Sequence, residues 1–198
     1  MRKLKTGCVH IYTGDGKGKT TASLGLALRA ASSGLSVCMF QFLKAYGTSS
    51  ENWLEFPNFR VVCLGQMHPM FQPAMASTRG GPGKSPACRS GREVRNKRSE
   101  VKLKENILKE IGKIKRVMKT KKYDVIILDE LVNCVSEDFI SEKDVLRLIK
   151  TKPRSMELIL TGRRAPKGLI AAADYVTEMK KVKHPFDRGL PCRKGVEY

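Results

Sequence analysis

A glycine-rich turn between an apolar strand and an Ala/Leu-rich helix restricts the fold of this chain more than any other feature. Cys8-Val-His-Ile-Tyr12 has the character of a buried strand and runs directly into Thr13-Gly-Asp-Gly-Lys-Gly-Lys-Thr20-Thr21. A helix is predicted over Thr20–Ser33, stopped by Gly34. Strand, glycine loop and helix in that order form the context of a phosphate-binding loop. The glycines let successive backbone N–H groups converge on an anion, and the positive end of the helix adds to the attraction. Against the usual pattern GxxxxGK[ST], Thr13 replaces the first glycine. Lys19 is placed to reach phosphate oxygens, and the Thr20 hydroxyl to join a Mg²⁺ shell.

The remaining chain continues the alternation. Leu35–Phe42, Phe59–Leu64, Tyr123–Leu128, Met156–Thr161 and Tyr175–Met179 read as further strands, several apolar throughout, as strands covered on both faces are. Between them, Ile107, Ile111, Ile114 and Met118 mark one apolar stripe on a long basic helix. Ser141-Glu-Lys-Asp144 opens another helix, whose core face is Val145, Leu146, Leu148 and Ile149. The pattern predicts an α/β fold with a mostly parallel sheet flanked by helices. A single domain over 1–198 is expected, interrupted by a basic Gly/Pro-rich loop at about 72–98.

Composition narrows the function classes. Apolar residues make up 41% and charged residues 29%, which excludes wholesale disorder. The six cysteines form no CxxC pair, which argues against a zinc cluster or a disulfide scaffold and for a reducing, cytoplasmic setting. No apolar run approaches a membrane span, and none follows Met1–Gly7 as a signal peptide requires, so no membrane partner is expected. Lys and Arg outnumber Asp and Glu by 38 to 19, a net +19, and residues 79–122 hold sixteen of these cations against four acids. Such a stretch attracts polyanions.

Two further clusters carry chemistry. Val125-Ile-Ile-Leu-Asp129-Glu130 is an apolar strand ending in two carboxylates, a placement that brings a carboxylate to a metal beside the phosphates. Spacing leaves open which of Asp129 and Glu130 touches the metal, and helix N-capping is the competing role. Leu158-Ile-Leu-Thr-Gly-Arg163-Arg164 ends in a glycine turn and a cation, where Arg163 can neutralise phosphate charge.

Taken together, TGDGKGKTTASLGLALRA (13–30), YDVIILDEL (123–131) and the tail from Glu157 to Tyr198 resemble the ATP:corrinoid adenosyltransferases of the cob(I)yrinic acid a,c-diamide type. Thr177-Glu-Met179, Val182-Lys-His-Pro-Phe186, Gly189 and the final Gly195-Val-Glu-Tyr198 carry the more specific part of the likeness, and QFLKA (41–45) is similar to the family's second strand and its exit. The resemblance implies a RecA-like P-loop fold, a homodimer, ATP as cosubstrate with Mg²⁺, and a corrinoid as substrate. It implies transfer of the 5′-deoxyadenosyl group of ATP to cobalt(I), with release of triphosphate. By the same resemblance Gly14, Asp15, Gly16, Lys17, Gly18, Lys19, Thr20 and Thr21, counted with Thr13, hold the triphosphate. Glu130 with Thr20 is the implied Mg²⁺ partner, and Arg163 joins Lys19 on the triphosphate.

The corrinoid half departs from the family pattern. Gly65-Gln66-Met67-His68-Pro-Met-Phe71 stands where members carry an aromatic stretch against the corrinoid, and it has no tryptophan. Phe71 is the candidate apolar wedge; His68 is a candidate cobalt ligand or an ordinary loop histidine. The N-terminal arm of some members is not expected, because the first strand begins almost at once. A flavoprotein or other reductant is the expected partner. Two other functions compete: a RecA-like ATPase stimulated by nucleic acid, and a non-catalytic ATP-binding sensor. The basic segment has no interleaved aromatics to stack bases, which counts against nucleic acid.

Overall fold

The computed structural model of the protein describes residues 4–44, 50–65, 97–193 and 195–197. Six strands form, each within one or two residues of an expected apolar run: β1 (Val9–Thr13), β2 (Val37–Gln41), β3 (Phe59–Cys63), β4 (Val125–Asp129), β5 (Glu157–Thr161) and β6 (Tyr175–Glu178). They make one sheet in the order β3-β2-β4-β5-β1-β6, and every ladder is parallel. The hydrophobic runs explain why. All five residues of β2 and of β4 are buried, as central strands covered on both faces must be. β6 is a short edge strand with all four residues exposed.

Helices α1 (Lys19–Ser32), α2 (Lys97–Lys119), α3 (Leu131–Ser136), α4 (Glu142–Lys150) and α5 (Lys167–Ala171) complete the architecture. α1 covers one face with Ala27, Ala30 and Ala31 against Val37, Met39, Val125, Ile127 and Ile159. Small side chains on the helix let it lie close over the strands. The opposite face is covered by the α2 stripe, where Leu103 joins the expected Ile107, Ile111, Ile114 and Met118, all buried against Phe40, Ile126 and Leu128. α1 ends at Gly34, whose φ of +83° favours glycine. α4 starts on Ser141, whose Oγ accepts from the Asp144 N–H at 3.2 Å.

Sequence patterning did not anticipate α3 or α5, each of six residues or fewer and shorter than a periodic signal needs. The basic loop expected at 72–98 gives way to α2 at Lys97, because the helix extends two turns ahead of its apolar stripe; residues 72–96 lie outside the described residues. Among the described residues, Cys8, Cys38, Cys63 and Cys134 are free thiols.

Replacing Ile107, fully buried beneath α2, with Ala should lower unfolding stability by about 2–5 kcal/mol through lost burial and a residual cavity. Urea unfolding followed by far-UV circular dichroism measures this.

Candidate functional site

In a parallel sheet every strand ends at the same edge, and ligands of such folds gather there. Thr13, Gln41, Cys63, Asp129, Thr161 and Glu178 are the six strand ends here. One strand, β5, separates β1, which feeds the glycine loop, from β4, which ends in the carboxylates.

The glycine loop curls back over its own lysine. Lys19, only 8% exposed, donates to the carbonyls of Gly14 at 2.8 Å and Gly16 at 2.7 Å. The chain leaving β6 fastens the loop from outside: Met179 N–H donates to Thr13 O at 2.8 Å, and Gly16 N–H donates to Met179 O at 2.7 Å. A Cβ at Gly14 would stand 2.4 Å from Met179 O, and one at Gly16 2.7 Å from it, so both glycines are required by close backbone approach as well as by curvature. The Lys181 N–H donates to Asp15 Oδ1 at 3.0 Å and holds that carboxyl below its ordinary pKa. Lys17 reaches Glu197 at 3.3 Å, and Arg193 caps the same carboxylate. Thr13, Gly14, Asp15, Arg163, Ala165 and Glu178 line a cavity of about 490 Å³ beside the loop.

Asp129 is the hub. Fully buried, it accepts through Oδ1 from the Thr20 hydroxyl at 2.8 Å and from the Thr161 hydroxyl at 2.7 Å. Its Oδ2 pairs with Lys44 Nζ at 2.9 Å, and Lys44 lies 3.9 Å from Glu51. Burial opposes the charge on Lys44, but Asp129 and Glu51 outweigh it and raise its pKa. Lys19 shows the opposite balance: burial, then the Arg163 cation, lowers its pKa against the pull of Glu130, Asp15 and Asp129.

Glu130 turns elsewhere. It sits at φ +66° ahead of α3, its N–H donates to Thr161 Oγ1 at 3.0 Å, and its carboxylate accepts from the Asn133 amide. Burial and the Asp129 charge push its pKa up to about 7. Asn133 also accepts the Arg163 N–H, so one side chain fixes both Glu130 and the turn that presents Arg163. The side chain of Arg163 is exposed at the mouth of the site, while Arg164 pairs with Glu137 at 2.9 Å.

The structure thus gathers Thr13, Gly14, Asp15, Gly16, Gly18, Lys19, Thr20, Asp129, Glu130 and Arg163 at one edge. Lys17 faces the tail, and Thr21 is exposed. It brings Thr20 to Asp129, whereas the resemblance implied Glu130. Gln66, Met67, His68 and Phe71 lie outside the described residues. Lys44, Thr161 and Asn133 were not foreseen. A polar residue closing an apolar strand was a usable signal for Thr161, and the QFLKA exit for Lys44. Asn133, on a helix too short to predict, left none. No group of three or more His, Cys, Asp or Glu capable of holding a metal occurs among the described residues. The hard oxygen donors Thr20 and Asp129 suit a Mg²⁺ ion that takes its other ligands from water and phosphate.

Comparison with known proteins finds one family over nearly the whole chain. The family described as ATP:corrinoid adenosyltransferase BtuR/CobO/CobP matches residues 5–198. A corrinoid adenosyltransferase of Escherichia coli K12 is 30% identical over 195 residues, covering 97% of this chain and 86% of that protein. One from a Sinorhizobium species is 31% identical over 193 residues, covering 97% and 80%. Corrinoid adenosyltransferase CobA of Salmonella typhimurium LT2 is 29% identical over 195 residues, covering 97% and 86%.

Because the folded pKa of Glu130 stands above its ordinary value of 4.5, at about 7, its contribution to stability is full below the lower value. It is lost as pH rises through the upper one. Glu130→Gln removes this dependence, so the melting temperature of the variant should gain on that of wild type between pH 5 and pH 8. Thermal unfolding of the unliganded proteins across that range checks the sign.

Proposed function

The chain belongs to the ATP:corrinoid adenosyltransferase family, and from that membership we propose how its site carries out adenosyl transfer. It is an enzyme that moves the adenosyl group of ATP to a corrinoid in cobalamin metabolism. The observation that carries the proposal is the meeting of the glycine loop, Lys19 and Thr20 with Asp129 at one sheet edge.

The loop N–H groups and Lys19 receive the triphosphate, with Lys19 exchanging the Gly14 and Gly16 carbonyls for phosphate oxygens. Arg163, exposed beside the loop, closes on the same charge. Thr20 and Asp129 hold Mg²⁺, with Glu130 as a neighbouring carboxylate. The ion, when bound, neutralises charge that accumulates on the leaving triphosphate. Cobalt(I) is itself a strong nucleophile, so the protein need activate no side chain. Its electron pair forms the cobalt–C5′ bond as the C5′–O bond breaks, and the triphosphate leaves with the bonding pair. Lys19, Arg163 and the loop therefore act by positioning and by stabilising developing negative charge.

β3 ends at Cys63 on the same edge of the sheet, ahead of the segment that begins at Gln66. Gln66, Met67, His68 and Phe71 are proposed as its corrinoid contacts. We also propose a homodimer, a cytoplasmic setting, and an acidic flavoprotein as the reductant drawn to a chain of net +19. No helix among the described residues is long and apolar enough to cross a membrane. Family membership goes against the nucleic-acid-stimulated ATPase and the ATP sensor.

Lys19→Ala should reduce adenosylation of chemically reduced corrinoid by more than about 100-fold, while melting temperature and circular dichroism stay near wild type. The check is an anaerobic assay that follows cobalt–carbon bond formation and identifies triphosphate. Wild-type turnover in that variant would overturn the site assignment, and ADP with phosphate as products would overturn the reaction.

A further inference from the structure

Gln41 ends β2 after Val-Cys-Met-Phe, where the sheet buries every side chain. It is itself 0% exposed, yet neither Oε1 nor Nε2 has a hydrogen-bond partner among the described residues. Burying a carboxamide without partners is costly, and an apolar side chain of that length would cost nothing. A residue kept polar under that penalty has a ligand to meet.

Its position says which. β2 and β4 pair in parallel with Gln41 opposite Asp129, and Asp129 neighbours Thr161 one step beyond the Leu128–Leu160 pair of β4 and β5. Val37, Met39, Val125, Ile127 and Ile159, which precede these three residues at every second position, pack against α1. Strand alternation therefore turns Gln41, Asp129 and Thr161 to the α1 face as a row of polar ends, with adjacent strands about 4.8 Å apart. Asp129 accepts hydrogen bonds both from Thr161 and from Thr20 at the start of α1. Gln41 flanks Asp129 on the other side and shares in none of these bonds.

We infer that Gln41 is a positioning residue for the divalent ion of the site: its carboxamide oxygen accepts a hydrogen bond from a water molecule bound to that ion. The inference rests on the metal role proposed for Thr20 and Asp129. Full burial leaves no surface for ribose or a corrinoid to touch, and the residue directly opposite Gln41 in the β2–β4 ladder is Asp129, the carboxylate proposed to hold the ion. Partners of this outer kind typically contribute 10–100-fold in metal affinity.

The test uses the full chain with ATP and without corrinoid. Calorimetry measures Mg²⁺ binding to the ATP complex, and Mn²⁺ electron paramagnetic resonance reports the ion's surroundings. Gln41→Met keeps the length and removes both polar atoms; Gln41→Glu keeps an acceptor. Expected are Mg²⁺ affinity about 10-fold weaker in Gln41→Met, recovered in Gln41→Glu, and a changed Mn²⁺ spectrum. The unliganded Met variant should melt at or above the wild-type temperature. Unchanged Mg²⁺ affinity in Gln41→Met overturns the inference. So does a Met variant that melts well below wild type or does not fold, since the amide would then be structural. Failure of the wild-type chain to bind Mg²⁺ with ATP would instead overturn the proposed metal role itself.

Discussion

The buried carboxylate of Asp129 organises the working edge of this protein. A carboxylate at zero exposure is tolerable only where donors and a cation surround it. Thr20 brings the start of α1, Thr161 the end of β5 and Lys44 the exit of β2. Four segments distant in sequence are thus fixed around one side chain. The same contacts set the distance between the glycine loop and the carboxylate strand, which the proposed metal and triphosphate would bridge.

A second constraint acts on the loop itself. Gly14 and Gly16 are pressed against the backbone at Met179, and Gly16 N–H is already bonded there. The chain after β6 thus shapes the loop as the loop's own sequence does. Asp15 and Lys17 are held by that tail through the Lys181 N–H and Glu197, with Glu197 itself held down to a pKa of about 2 by Arg193. The tail motifs that carried the family resemblance are therefore packed against the loop proposed to bind phosphate. This gives a physical reason for finding the two in one chain.

How much was legible from residues follows their physics. β2, β4 and β5 were readable because apolar runs of this kind serve only strands covered on both faces. α2 was readable because Ile107, Ile111, Ile114 and Met118 fall at helical spacing on a segment rich in basic residues. α3 and α5 were not, being too short to show a period. Thr20 and the carboxylate pair were legible as types, yet their partnership was not. Asp129 closes β4, and the left-handed backbone at Glu130 turns the next carboxylate away toward α3.

By itself the sequence determined the alternation of strands and helices, the glycine loop and its lysine, the carboxylates at a strand end, and the family. These are local patterns, set by side-chain size, periodicity and backbone freedom within about 20 residues. Only the tertiary structure decided that Thr20 meets Asp129 and not Glu130, that Lys44 and Thr161 complete that carboxylate's shell, and that Asn133 ties Glu130 to the Arg163 turn. Strand order and register place those groups side by side, and both come from packing between segments up to 165 residues apart, which no local pattern contains.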